Sequence, residues 1–308
     1  MAPESSVLDS LVLDYYIVDV FTDRALAGNP LAVVMNTADL STEQMQSIAR
    51  EFNLSETTFV ERRAAEIEAA EGVRTRIFTT EEELPFAGHP TLGTASVLKI
   101  ADPSLALRST ITLAEKVGPI PVFFDPARKN LFGEMTQRNP EFGSELDPAR
   151  VAELTGLVPD DLDPAHPPQI VSTGNGFAIV MLRSLEALAR LNVRQQEAAE
   201  YLRPLGGRWF YFLSPDPVQN ENGTKYRARM QFNGGEDPAT GSAAGCAISY
   251  LVARGIVPPG EQIHVRQGVE MGRPSDLFLS AKLDTAGVTE VRVAGSTVLV
   301  AAGRLLAP

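Results

Sequence analysis

A duplication constrains this chain more than any other feature of it. Residues 73–98, VRTRIFTTEEELPFAGHPTLGTASVL, lie over residues 226–251, YRARMQFNGGEDPATGSAAGCAISYL, at a constant offset of 153. Arg74 falls on Arg227, Arg76 on Arg229, Glu83 on Glu236, Pro85 on Pro238, Gly88 on Gly241, Ser96 on Ser249 and Leu98 on Leu251, and His89 stands where the second copy has Ser242. A second echo sets Gly28-Asn29-Pro30-Leu31-Ala32 against Gly174-Asn175-Gly176-Phe177-Ala178 at an offset of 146. A fixed offset across a whole strand–turn–helix stretch is the mark of repetition. With 308 residues the chain is long for one core and comfortable for two domains of roughly 100–200 residues.

Each copy reads as a strand, a turn holding carboxylates, and a helix. Tyr226, Ala228, Met230 and Phe232 alternate with Arg227, Arg229 and Gln231, the period of a half-buried strand. The helix opening at Gly241-Ser242 is apolar nearly all round, with only Ser249 and Tyr250 as polar relief, so it should be buried. In the first copy His89 opens the helix and Pro90 takes its first position, where a missing N–H costs nothing. A helix start presents unpaired N–H groups and a partial positive charge, a ready site for an anion. The expectation is therefore two similar domains, each with a mixed sheet wrapped around a central helix, whose helix starts meet across a cleft. The class is α+β.

Composition narrows the function. A formal charge of −12, from 27 basic and 39 acidic residues, makes a phosphate-backbone partner an unlikely fit. The first residues carry Glu4 and Asp9 where a signal peptide needs positive charge, and no apolar run reaches membrane-helix length, so the expectation is a soluble cytoplasmic protein with no membrane partner. The one cysteine, Cys246, lies in the small-residue helix and reads as a space filler. His89, His166 and His264 have no ligand spacing, so no metal is expected, and the chain has neither G-x-G-x-x-G nor G-x-x-x-x-G-K-[ST], so no nucleotide cofactor is expected either.

Taken in order, residues 13–21 read as a strand, Gly28-Asn29-Pro30 as a turn and residues 31–35 as its return, a hairpin-like start. Ser41 opens a helix with Gln44 in the capping-box position, Leu40 placed against Met45, and Asn53 as its end. Residues 61–71 read as a charged, Ala-rich, exposed turn or linker. Asp147-Pro148 starts another helix, His166 sits in a proline-rich loop, and residues 176–182, 184–191, 195–202 and 209–213 read as strand, helix, helix and strand. Residues 262–266, 277–283, 290–294 and 298–302 read as closing strands.

Glu56 stands at the entry to a β-branched strand, in Asn-Leu-Ser-Glu-Thr-Thr-Phe-Val. A carboxylate there is commonly just a solvated or hydrogen-bonded strand end; its setting among Asn53, Ser55 and Thr57 also suits a held general base. His89 is open to two readings in the same way, as a structural residue of a helix start or as the counterpart of Ser242 at a site. Ser242, His89 and Asp237 supply a nominal hydrolase triad, but Gly241-Ser242-Ala243-Ala244-Gly245 is not G-x-S-x-G. A protein that holds an anionic metabolite without turning it over is a further reading.

The stretches IAREFNLSETTFV, ELPFAGHPTLGTA, GEDPATGSAAG and QGVEMGRPS together resemble the signatures of the phenazine-biosynthesis PhzF family, from residue 48 to residue 275. The resemblance implies the fold of diaminopimelate epimerase, with a first half over residues 12–128, a second half over residues 129–295, residues 296–308 packing back on the first half, and the active site in the cleft between them. It implies an acid–base isomerase without metal or organic cofactor, of the type that acts on trans-2,3-dihydro-3-hydroxyanthranilate in phenazine-type biosynthesis. By motif position it implies Glu56 as proton carrier, with His89, Asp237 and Ser242 binding and polarising a small anionic substrate and Gly88 and Gly241 allowing close backbone approach. It also implies a homodimer. The epimerase relatives use two cysteines as paired bases, which one cysteine cannot supply, and Glu56 is left as the best candidate base.

Overall fold

The computed structural model describes residues 11–128, 130–217, 225–232 and 235–307. Glu4 and Asp9, and the Asn233-Gly234 pair of the glycine-rich turn, lie outside the described residues. The chain divides into two compact units. The first takes the chain up to Val20, Pro30–Gly133 and everything from Thr297; the second takes Phe21–Asn29 and Glu134–Ser296.

Eleven elements are met first: β1 (Leu11–Val20), β2 (Asn29–Val34), α1 (Thr42–Phe52), β3 (Glu56–Glu61), α2 (Ala65–Glu71), β4 (Val73–Phe78), β5 (Glu83–Leu84), α3 (Gly88–Ala101), β6 (Thr110–Glu115), β7 (Gly118–Phe124) and β8 (Leu131–Thr136). There follow β9 (Glu141–Glu145), α4 (Pro148–Thr155), β10 (Gln169–Ser172), β11 (Gly176–Met181), α5 (Leu185–Ala189), α6 (Gln195–Leu202), β12 (Trp209–Pro215), β13 (Tyr226–Arg229), β14 (Gln231–Phe232), β15 (Gly235–Glu236), α7 (Gly241–Ala253), β16 (Ile263–Gln267), β17 (Ser275–Asp284) and β18 (Gly287–Ala307).

The repeat is visible in strand pairing. In the first unit β2 runs parallel to β3, β3 antiparallel to β4, β4 parallel to β6 and β6 antiparallel to β7. In the second, β11/β12, β12/β13, β13/β16 and β16/β17 repeat the same order of directions. α3 and α7 start 153 residues apart, at Gly88 and Gly241. α3 touches β1, β3, β6 and β7, and α7 touches β10, β11 and β17. Both helices are buried along almost their whole length because neither has a polar face to offer water.

The duplication extends to an ion pair. Arg76 grips Glu83 with two hydrogen bonds of 2.8 Å, and Arg229 grips Glu236 with bonds of 2.9 and 2.6 Å. Each pair ties a strand to the turn that leads into its helix. The planar guanidinium matches a carboxylate in this two-bonded geometry, which a lysine cannot reproduce. Arg229, placed by the alternating pattern on the polar face of its strand, is itself buried, and also donates to the Leu188 and Ala189 carbonyls.

Local signals account for several ends. Ser41 caps α1 and forms the reciprocal box with Gln44, while Asn53 closes the helix in the left-handed conformation at φ 49°. Leu40, Met45, Ile48 and Ala49 join Leu13, Val34, Phe59 and Phe78 in one cluster. Asp147 caps α4 with Pro148 at its start. The structure corrects three expectations. Residues 65–71 form α2 rather than an exposed turn, because Glu68 accepts both the Arg62 guanidinium and the Arg63 N–H at its base. The two closing strands are one, β18, of 21 residues. His89 is the second residue of α3, after Ala87 as cap and Gly88, with Pro90 third. β1 and β2 are hydrogen-bonded neighbours, as a hairpin-like start requires, and the intervening residues 21–29 group with the second unit.

Among the described residues no helix is long and apolar enough to cross a membrane.

Candidate active site

In the first unit the end of α1 delivers the chain through Leu54 and Ser55 into β3, so that Glu56 is its first residue, opposite Leu31 of β2. The helix start of α3 brings His89 to it: Nε2 lies 3.6 Å from Glu56 Oε2. The His89 side chain is buried, and its ring is tied to the Pro30 carbonyl. Burial drives its pKa down to about 3, against a smaller upward pull from that hydrogen bond. The ring is therefore neutral at neutral pH, and the contact with Glu56 is not an ion pair. The Glu56 side chain remains 17% exposed, while the Oε2 that faces His89 is itself buried. What results is a carboxyl group beside an imidazole that burial holds neutral.

In the second unit the residues before α7 form a fully bonded turn. Asn29 Nδ2 donates to Asp237 Oδ1 at 2.7 Å and to the Ala239 carbonyl at 2.9 Å, and Thr240 Oγ1 donates to Asp237 Oδ2 at 2.7 Å. Asp237 is 9% exposed; burial pushes its carboxyl up to about 6, while Thr240, Asn29 and the Ala239 N–H pull it back. Gln267 closes the turn, accepting from Thr240 N–H and Tyr211 O–H and donating to the Asp237 carbonyl and Thr240 Oγ1. Ser242 is the second residue of α7, in the place that His89 takes in α3. Gln137 Nε2 donates to the Gly241 carbonyl, and Thr173 donates to Gln137 Oε1. Neither helix has a side-chain cap, since Ala87 has no cap group and the Thr240 hydroxyl is spent on Asp237.

Sequence reasoning named Glu56, His89, Gly88, Asp237, Gly241 and Ser242; the structure sets Glu56 against His89, and Asp237 just before the helix that Gly241 and Ser242 begin. It missed Asn29, Thr240 and Gln267, which hold the Asp237 turn. Asn29 had a signal, its echo at Asn175, but it was read as a turn residue. Gln267 begins a stretch already singled out, QGVEMGRPS. Cys246 is buried in α7 against Thr173 Oγ1 and the Asn175 carbonyl, and burial raises its thiol to about 11, an inert setting. His166 bonds Asp163, and His264 bonds Asp276 and stacks on Phe278, far in sequence from Glu56 and His89. Among the described residues no group of three or more His, Cys, Asp or Glu is placed to hold a metal ion.

The fold is a duplicated α+β one with buried central helices and a carboxyl–imidazole pair at one helix start, and comparison with known proteins places it in an epimerase-like class of isomerases. Residues 18–303 match the family described as phenazine biosynthesis-like protein. An uncharacterized isomerase of Mesorhizobium japonicum is 36% identical over 95% of this chain and 98% of its own length. The trans-2,3-dihydro-3-hydroxyanthranilate isomerase of Pseudomonas aeruginosa is 34% identical, covering 94% of this chain and 98% of its own. Among solved structures, a predicted epimerase from Pseudomonas aeruginosa superposes with a TM-score of 0.81 at 34% identity, over 96% of this chain and all of that one. A hydroxyproline epimerase from Agrobacterium vitis shares the fold alone, at 10% identity and a TM-score of 0.62 over 96% of this chain and 92% of that one. The chain belongs to the PhzC–PhzF family, and it is an isomerase.

Proposed function

We propose that the protein moves a proton between two carbons of a small anionic substrate, with trans-2,3-dihydro-3-hydroxyanthranilate as the leading candidate, and that Glu56 carries the proton. The observation that carries this reading is the partly exposed Glu56 side chain with its carboxyl 3.6 Å from a buried, neutral His89. As carboxylate, Glu56 takes the proton from one carbon and leaves the electron pair to the conjugated substrate. As carboxylic acid, it returns the proton to another carbon. His89, held neutral, hydrogen-bonds without drawing the proton away. The substrate's carboxylate has a suitable site at an uncapped helix start, where first-turn N–H groups favour an anion by roughly 0.3–1 kcal/mol, more when partly buried. Asp237, with both oxygens already held, and Gly241 and Ser242 shape the start of α7 for this use. The proposed cycle is complete without metal or organic cofactor, and a homodimer in the cytoplasm is the assembly and place expected.

The test is turnover of trans-2,3-dihydro-3-hydroxyanthranilate in deuterated water, followed by product mass and absorbance, for wild type and Glu56→Gln. A positioned acid–base group is worth roughly 10²- to 10⁴-fold in rate, so the variant should lose that much while staying folded. Retained turnover in Glu56→Gln would remove Glu56 from the role. No turnover by wild type would drop this substrate and turn the search to other small carboxylates with an acidic C–H. A ligand that binds without exchanging deuterium would favour the binding-protein reading.

A further inference from the structure

Glu115 ends β6 and packs beside the first turn of α3, with Oε1 2.6 Å from Thr91 Oγ1. It is 8% exposed, and its Oε2 meets no donor among the described residues. Thr91 Oγ1 also lies 2.8 Å from the carbonyl oxygen of Ala87, the cap residue of the helix that carries His89. A hydroxyl has one proton to give. If Thr91 gives it to Ala87, the short contact to Glu115 is a hydrogen bond only when Glu115 supplies the proton. A buried carboxylate with one oxygen unbonded would be far more costly than a neutral acid in the same place.

The duplication supplies an independent observation. In the first unit Val73 pairs Leu113 and Arg74 pairs Ala114; in the second, Tyr226 pairs Val265 and Arg227 pairs Arg266. Since residues 73 and 226 are equivalent, the next positions, Glu115 and Gln267, are equivalent too. Gln267 is the uncharged counterpart of a protonated glutamate, and it fastens the residues leading into α7 with three hydrogen bonds to Asp237 and Thr240 while accepting a fourth from Tyr211. We infer that Glu115 is held as the neutral acid, donates to Thr91 Oγ1 and thereby fixes the Ala87 carbonyl at the start of α3, which makes it a positioning residue for His89.

The electrostatics run the same way. Burial pushes the Glu115 carboxyl up to about 8, and Thr91 provides the opposing pull. The charged groups of the neighbouring elements are engaged elsewhere: Arg76 and Lys116 on Glu83, Arg74 on Glu61, Lys99 on the Ala106 and Arg108 carbonyls, and His89 at Pro30 and Glu56. β7 carries no charged residue. When Glu115 ionises, Thr91 must turn its hydroxyl proton to the carboxylate, leaving the Ala87 carbonyl with the Thr91 N–H alone at 3.2 Å.

The functional meaning of this clamp rests on Glu56–His89 as the proton-transfer site, but its test uses no turnover. The chain has three histidines, so the His89 imidazole resonance can be assigned by difference with His89→Gln and followed through an alkaline titration of the whole protein. Wild type should show a step at about pH 8 in a ring that does not itself titrate there. Glu115→Gln, whose amide can donate to Thr91 without titrating, should lose the step, as should Thr91→Val. The infrared band of a protonated carboxylic acid should be present at neutral pH in wild type and absent from Glu115→Gln. The inference is overturned if that band is missing in wild type, if the step is missing in wild type, or if it persists in either variant. Should Glu115→Gln fail to fold, the wild-type band and Thr91→Val still decide. Loss of turnover in Glu56→Gln, or its absence, leaves these spectra unchanged.

Discussion

Gly245→Ala sets two effects of known size against each other. In an isolated helix the change is favourable by about 1 kcal/mol, because glycine loses more backbone entropy than alanine. Here the added Cβ would stand 2.0 Å from Gln137 Oε1 and 2.6 Å from Gln137 Cδ, where ordinary contact begins near 3.4 Å. The Gln137 amide must withdraw by more than an ångström, and it cannot do so while donating to the Gly241 carbonyl at 2.9 Å and accepting from Thr173 at 2.7 Å. Both partners are buried. Each broken bond forfeits about 0.5–1.5 kcal/mol net, and a buried group left unsatisfied costs about 1–3 kcal/mol. The loss therefore exceeds the propensity gain, and the variant should be destabilised by about 1–4 kcal/mol. Urea denaturation of wild type, Gly245→Ala, Gln137→Ala and the double variant measures it. In the Gln137→Ala background the alanine at 245 should become neutral or stabilising, giving a coupling above about 1 kcal/mol. A Gly245→Ala single variant more stable than wild type would refute the account of why α7 carries a glycine there.

Two further outcomes can be checked beside the Glu56 and Glu115 tests. Asn29→Asp replaces the donor that faces Asp237 Oδ1 at 2.7 Å with a second carboxyl group; it should destabilise the fold by about 2–5 kcal/mol at neutral pH and much less in mild acid, where the pair can share a proton. A cost independent of pH in a denaturation series would count against it. His89 binds its proton more weakly folded, with a pKa of about 3 against an ordinary 6.5. Its contribution is then fully present above pH 6.5 and is lost as pH falls towards 3, by at most about 5 kcal/mol. His89→Gln should flatten the acid limb of stability against pH, and an unchanged limb would show that the ring is protonated in the fold.

The fold was legible where one stretch of chain contains its own instructions. Ser41 and Gln44 cap α1 through bonds spanning three residues, and the paired helices were legible because the same spacing is written twice. The α2 helix was hidden because its anchor, Arg62, looked like one charge among many, and it also reaches Asp102, forty positions on. β9 was missed because all five of its residues are exposed, which leaves no alternating pattern to find. β18 was split because Gly295-Ser296 looks like a break; Gly295 is instead where Phe21 passes so close that a Cβ would sit 2.5 Å from its ring. The candidate site divided along the same line. Residues inside the repeated stretch, such as His89 and Ser242, could be singled out, but the partners that fix them could not. Asn29 reaches Asp237 across 208 positions and Gln137 reaches Gly241 across 104, distances at which no local pattern operates.

The pairing of β1 with residues 297–307 of β18 has a consequence for how the chain is made. A ribosome emits Thr297 long after Val20, and at about 5–20 residues per second the interval is on the order of tens of seconds. Throughout it, one edge of β1 waits for a partner not yet translated, although the remainder of the first unit has been complete since Gly133. An open strand edge is a template for the wrong neighbour. Nascent chains on crowded polysomes therefore carry an aggregation hazard at β1, and a premature stop codon anywhere before β18 makes that hazard permanent.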